Sequence, residues 1–168
     1  MAENETPAAA AAAPSQPQMR ILGQFIRDMS FENVAVQKGD GRLDAKPDIQ
    51  VGVNLDAKKR TDNQFEVILK VNATAKSDDA VMFIVELEYA GIFRVENVPE
   101  QQLHPVLLIE CPRILFPFAR RIVADATRDG GYPPLLLEMV DFAGIYTAEV
   151  KRRQEAAAAE KAEGVTEN

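Results

Sequence analysis

The chain has a single cysteine and a single histidine among 168 residues, no tryptophan, and only 7% aromatic residues. One cysteine cannot close a disulfide within the chain, and one Cys with one His cannot assemble a zinc site. Histidine-based catalysis is equally ill supplied. His104 and Cys111 each neighbour a proline, and no local pattern places a third group to orient them, so an ordinary buried thiol is the simpler reading. Basic charge is in the minority, 19 Lys and Arg against 26 Asp and Glu, for a net charge of −7. Nucleic-acid binding needs a basic surface that displaces phosphate counterions, and this balance argues against it. Long apolar runs are missing as well. No stretch approaches the roughly 18 consecutive apolar residues of a membrane span, and the N-terminal alanine run carries Glu3 and Glu5 where a signal peptide has cations. A cytoplasmic protein without direct membrane insertion is expected. The glycines at 39, 41, 130 and 131 match no phosphate-binding or dinucleotide pattern and read as turn residues.

What is present falls into three segments. Residues 1–18, rich in Ala and Pro, read as a disordered arm, and residues 151–168, rich in Ala, Glu and Lys, as a tail that is helical and then frays. Half of all the alanines lie in these two ends, so the foldable domain is 19–150. Within it, residues 19–34 alternate in part: Gln24, Asp28, Ser30 and Glu32 share one parity, and Phe25, Met29 and Phe31 the other. After a polar loop (37–47), three further strands follow, over residues 49–55, 65–74 and 81–89, separated by the short polar turns 58–63 and 76–79. Such short connections predict an antiparallel meander. Strand character stops at Gly91. A short helix or turn is expected around Pro105, then a long helix opening at Pro112 and carrying Ile114, Leu115, Phe118, Ala119, Ile122 and Val123 at helical spacing, with Gly130-Gly131 as its stop. Tyr132-Pro133-Pro134-Leu135-Leu136-Leu137 predicts an extended apolar crossing segment, and Asp141 the N-cap of a last helix. The order β-β-β-β-α-α gives an α+β fold: a four-stranded antiparallel sheet with two helices on one face.

Two features go beyond an ordinary small domain. The long helix is apolar over a wider arc than one sheet can cover, which in so small a chain points to self-association. The polar parities of the first and fourth strands carry Asp28 and Glu32, and Glu86 and Glu88, with Ile84 between. Should these strands be neighbours, an acidic patch results; it reads as a dock for a basic partner, as an ordinary solvated face, or as a site for a hard cation with no coordination geometry fixed. Phe116, Phe118, Tyr132, Pro133, Leu136 and Phe142 either line a groove suited to extended peptides or fill a conventional core.

Four sequence runs carry a resemblance: Ile-Arg-Asp-Met-Ser-Phe-Glu-Asn (26–33), Tyr-Ala-Gly-Ile-Phe (89–93), Cys-Pro-Arg-Ile-Leu-Phe-Pro-Phe-Ala-Arg (111–120), and Gly-Tyr-Pro-Pro (131–134) with Asp141-Phe142. In this order they resemble the SecB family of bacterial export chaperones over about residues 19–150. The resemblance implies a cytoplasmic homotetramer, a dimer of dimers, that is not an enzyme and needs no cofactor or metal. It implies a chaperone that keeps precursor polypeptides unfolded and passes them to the SecA ATPase. It further implies SecA docking at Asp28, Glu32, Ile84 and Glu86, and an influence on tetramer assembly for Val85, Leu87 and Tyr89. Leu115 and Ile122, on the apolar arc of the long helix, join them as tetramer-interface candidates. Ile84 stands where leucine is expected, Val85 where some members have cysteine, and Tyr132-Pro133-Pro134 where Phe-Pro is usual. Alternatives are a SecB-like paralogue serving another client, such as an antitoxin, a small-ligand-binding oligomeric domain, and a structural oligomer without clients.

Overall fold

A computed structural model describes residues 16–39 and 46–163. The proposed arm up to Ser15, the loop centre 40–45 and the frayed end beyond Glu163 lie outside the described residues. The elements in chain order are β1 (Gln18–Glu32), α1 (Val34–Gln37), β2 (Asp48–Thr61), β3 (Gln64–Ser77), β4 (Ala80–Glu96), α2 (Glu100–Pro105), a π-helical turn (Val106–Glu110), α3 (Cys111–Asp129) and α4 (Phe142–Glu163). The fold is α+β, as the alternation followed by helical spacing predicts.

All strands are antiparallel, yet the sheet is not a sequential meander. Its order is β1-β4-β3-β2, so only β2, β3 and β4 follow one another through tight turns. The connection after β1 is long enough to carry the chain across the sheet, three strand spacings or about 14 Å. This lets Phe31 stack on Phe83 of β4 with ring centroids 5.7 Å apart. β4 also runs past Gly91 to Glu96, beyond the expected end. Gly91 is there for a close approach, not a stop. A Cβ on it would lie 2.9 Å from a methyl of Leu115 on α3 and 2.7 Å from the Phe93 ring. Its bare backbone is what allows α3 to sit down on the sheet.

The helical layer begins earlier than Pro112. Backbone at Val106 and Cys111 is helical, so α2, the π turn and α3 form one continuous helical run. Pro112 has no N–H for the carbonyl of Leu108 and its ring crowds that carbonyl. A wider turn just before it relieves both conflicts. The run ends as expected at Gly130 and Gly131, the latter at φ +90, where a left-handed backbone favours glycine. Gly131 donates to the Arg128 carbonyl and Tyr132 to that of Thr127. Thr127, buried in α3, accepts the Leu135 N–H at 2.9 Å and so fixes the start of the crossing segment.

The core lies between the sheet and α3. Val67, Leu69, Val71, Phe83, Val85, Leu87 and Phe93 meet Cys111, Leu115, Ala119 and Val123, all nearly inaccessible. Asp141 caps α4, its Oδ1 accepting the Gly144 N–H at 3.0 Å and its carbonyl the Ile145 N–H at 3.0 Å. Among the described residues, no helix is long and apolar enough to cross a membrane.

Candidate functional site

The strand order places β1 beside β4, which brings the two acidic parities together on the face turned away from α3. Asp28 pairs with Glu88, Ser30 with Glu86 and Glu32 with Ile84. Continuing across β3 and β2, Glu88 stands opposite Lys70 and Lys70 opposite Asn54, while Glu86 stands opposite Asn72 and Asn72 opposite Gly52. Asp28, Glu32 and Glu86 are exposed, and Ile84 is half-buried among them. A hollow of about 210 Å³ opens here, bounded by Asp28, Asn54, Lys70, Asn72, Glu86 and Glu88. Glu88 differs from its neighbours. Lys70 Nζ lies 2.8 Å from one of its oxygens and Arg27 3.7 Å from the other. The hydrogen bond from Lys70 holds its carboxyl below the usual carboxylate range. No three Asp, Glu, His or Cys side chains come together as metal ligands among the described residues.

Gln24 does not extend the acidic row. The register slips between Ile26 and Asp28, setting Ile26 opposite Tyr89, Phe25 opposite Ala90 and Gln24 opposite Gly91. The extra residue at this bulge, Arg27, is the one that reaches Glu88.

Of the assembly candidates, Val85, Leu87 and Leu115 lie wholly inside the protomer's own core. Any effect they have on assembly therefore acts through the seating of α3 on the sheet. Tyr89 and Ile122 reach the margin, where Tyr89 stacks on Phe118 at 6.3 Å and burial pushes its phenol up from the ordinary 10.0, with Arg121 pulling the other way. They share a shallow open face with Phe25, Ile26, Met29 and Arg121. Sequence reasoning missed the strip next to it: Met19, Ile21, Leu22, Phe25 and Ile26 of β1, with Ile114 and Phe118 of α3, are all exposed. The signal was available, because adjacent apolar pairs at 21–22 and 25–26 break the alternation of a strand covered on one face only.

The groove candidates divide. Phe116, Tyr132 and Phe142 are core residues: Phe116 meets Phe142 edge-on at 5.9 Å, and Tyr132 packs on Phe83 at 4.7 Å. The Tyr132 hydroxyl donates to Asn33 Oδ1 at 2.8 Å, and Asn33 donates to the Gly130 carbonyl at 2.8 Å, tying the crossing segment to the end of β1. Phe118, Pro133 and Leu136 are exposed, Leu136 at 64% and its neighbour Met139 at 82%. Leu136 and Met139 form one wall of a groove of about 440 Å³, and Ile49, Val51 and Val53 of β2 form the other. β2 is an edge strand. Among the described residues, no backbone hydrogen bond joins it to the crossing segment. Val53 also borders a second hollow of about 450 Å³, walled by Leu55, Leu108, Ile145 and Tyr146 and bridged by the 3.2 Å contact of His104 Nδ1 with the Tyr146 hydroxyl. Two hollows thus share Val53 of this strand, the first mainly aliphatic, the second also bordered by Asn54, Glu149, Arg152 and Arg153.

Comparison with known proteins agrees with this architecture. A SecB-like chaperone of Mycobacterium tuberculosis, solved with a peptide from the HigA1 antitoxin, superposes with a TM-score of 0.54 over 73% of this chain and 91% of that one, at 18% identity; it shares the fold. The protein-export protein SecB of Ruegeria pomeroyi is 62% identical over 160 residues, covering 94% of this chain and 96% of its own. That of Roseobacter denitrificans is 61% identical over 158 residues, covering 92% and 95%. Residues 12–153 match the family described as preprotein translocase subunit SecB. At this identity and coverage the chain belongs to the SecB family.

Proposed function

We propose that the chain is a cytoplasmic export chaperone that binds unfolded precursor polypeptides, keeps them competent for translocation and delivers them to SecA. It acts as a homotetramer, a dimer of dimers, and performs no covalent chemistry of its own. The observation that carries the client half is the groove along β2. Its walls are aliphatic, with Val51, Leu136 and Met139 exposed and Glu138 the one charged side chain among them, beside the edge strand β2. A segment in extended conformation can bury its side chains there and add main-chain hydrogen bonds at the edge, and neither contact reads sequence closely. Single grooves need bind only weakly, because several on one particle raise the effective concentration of the next. A folded client has most of its apolar side chains buried and its backbone paired internally.

Three exposed carboxylates around Ile84 support the outer face, at Asp28, Glu32 and Glu86, as the SecA dock; the complementary partner is basic. Support for assembly comes from the exposed large apolar side chains of β1 and α3.

The two faces separate by mutation. Glu86→Lys is expected to weaken SecA binding about tenfold or more at low salt, with client affinity and native mass unchanged. Val51→Asp with Leu136→Asp is expected to do the reverse, raising the Kd for a reduced, unfolded precursor and leaving SecA binding intact. Loss of the tetramer in Glu86→Lys, or unchanged client affinity in the groove variant, would sink the corresponding half of the proposal.

A further inference from the structure

Glu88 is the odd carboxylate of the outer face. It stands directly opposite Asp28 on one side and Lys70 on the other. Like charges directly opposite on neighbouring strands repel, so the Asp28–Glu88 pair needs a cation between them. Two are supplied: Lys70 takes Glu88 Oε1 at 2.8 Å and Arg27 approaches Oε2 at 3.7 Å. Lys70 and Arg27 are thus both held at one carboxylate. Asp28, Glu32 and Glu86 have no ion pair among the described residues. Asn72, the direct neighbour of Glu86, lies with its amide over the bare backbone of Gly52. Glu86 is therefore left without the amide that strand pairing would have offered it.

From this arrangement we infer that Glu88 is a positioning residue: by retaining Lys70 and Arg27 it keeps the carboxylates of Glu86 and Asp28 bare for a basic partner. The inference rests on the outer face being the SecA dock. Geometry gives it a sharp form. Lys70 is diagonal to Glu86 on adjacent strands, a separation of about 7–8 Å that a lysine side chain spans. Arg27 is the chain neighbour of Asp28. Once released from Glu88, the two cations turn to those two carboxylates and occupy the positions a partner's lysine or arginine would take.

A mutant cycle on the full-length tetramer tests this, reading SecA affinity together with client affinity and native mass. Glu88→Gln is expected to weaken SecA binding about fivefold, although the group it removes is already neutralised. Glu88→Asp, which keeps the charge, is expected to bind as the unaltered protein does, and Lys70→Gln added to Glu88→Gln to recover most of the loss. In a Glu86→Gln background, Glu88→Gln should cost much less than in the unaltered chain. Equal losses in both backgrounds would mean that Glu88 is merely one more negative charge, and would overturn the inference. A readout without SecA separates the two ideas. In a crystal structure of Glu88→Gln, Lys70 Nζ should lie within about 4 Å of a Glu86 carboxylate oxygen; Lys70 found away from Glu86 overturns the positioning role whatever binds there. An unchanged SecA affinity in Glu86→Gln, with Lys70 moved in Glu88→Gln as expected, would overturn the docking assignment alone.

Discussion

Cys111 sits in the core beneath β1, its Sγ 3.4 Å from Met19 Sδ, with no accessible surface. Burial above all, and then the charge of Glu110, raise its thiol from the ordinary 9.0 to about 12. Only the thiolate is a good nucleophile, so native protein at pH 8 should resist iodoacetamide and react once denaturant is added. Fast alkylation of the native chain would show that β1 opens readily at this point. The sign of the pH effect follows. The folded value lies above the unfolded one, so the stability contributed by the buried thiol is complete below about pH 9 and is lost as pH climbs towards 12. The same scale explains which site residues were legible. Alternation marked Asp28, Glu32 and Glu86 as outward-facing, because parity is a local property. It could not separate Leu136 from Phe116, since both are apolar residues in apolar surroundings and only the packing of the crossing segment decides which one faces solvent.

At the scale of elements, the local punctuation was readable: the turns around β2, β3 and β4, the double glycine ending α3, and the cap on α4. Asp141→Ala removes the acceptor of the Gly144 N–H and should cost about 1 kcal/mol. Amide exchange over residues 142–150 would then quicken about fivefold, with the sheet unaffected. Unchanged exchange there would mean that packing, not the cap, holds the start of α4. The features that escaped reading depend on distant partners. Gly91 looks like a strand end until Leu115 is laid against it. The π turn is invisible in apolar spacing because it shifts the helical phase by only one residue. The bulge at Arg27 is set by pairing with β4, more than sixty residues away in sequence. The edge position of β2, which makes a groove of Ile49, Val51 and Val53, follows from strand order and not from composition.

Across the whole molecule, the protomer leaves large apolar side chains exposed on both β1 and α3. Burying one large aliphatic side chain is worth about 1.5–3 kcal/mol, and Ile26 is exposed opposite Tyr89, on the shallow face shared with Ile122. Ile26→Asp is therefore expected to shift the native mass from that of the proposed tetramer, four times 18.5 kDa, to a smaller species while the isolated protomer keeps its sheet and helices. A tetramer that survives this change would place the contact elsewhere. The wide apolar arc of α3 had already hinted at self-association, but not that β1 contributes to the exposed surface.

The strand order also sets a sequence of events. Each partner of β2 and β3 lies close by in the chain, so those hairpins close over short loops. β1 is different, since Gln18 pairs with Glu96, and contacts of such separation form late. During synthesis β1 leaves the ribosome first, yet it has nowhere to dock until β4 is complete. Through that interval its apolar residues are uncovered, like those of the unfolded chains that the finished molecule is proposed to capture.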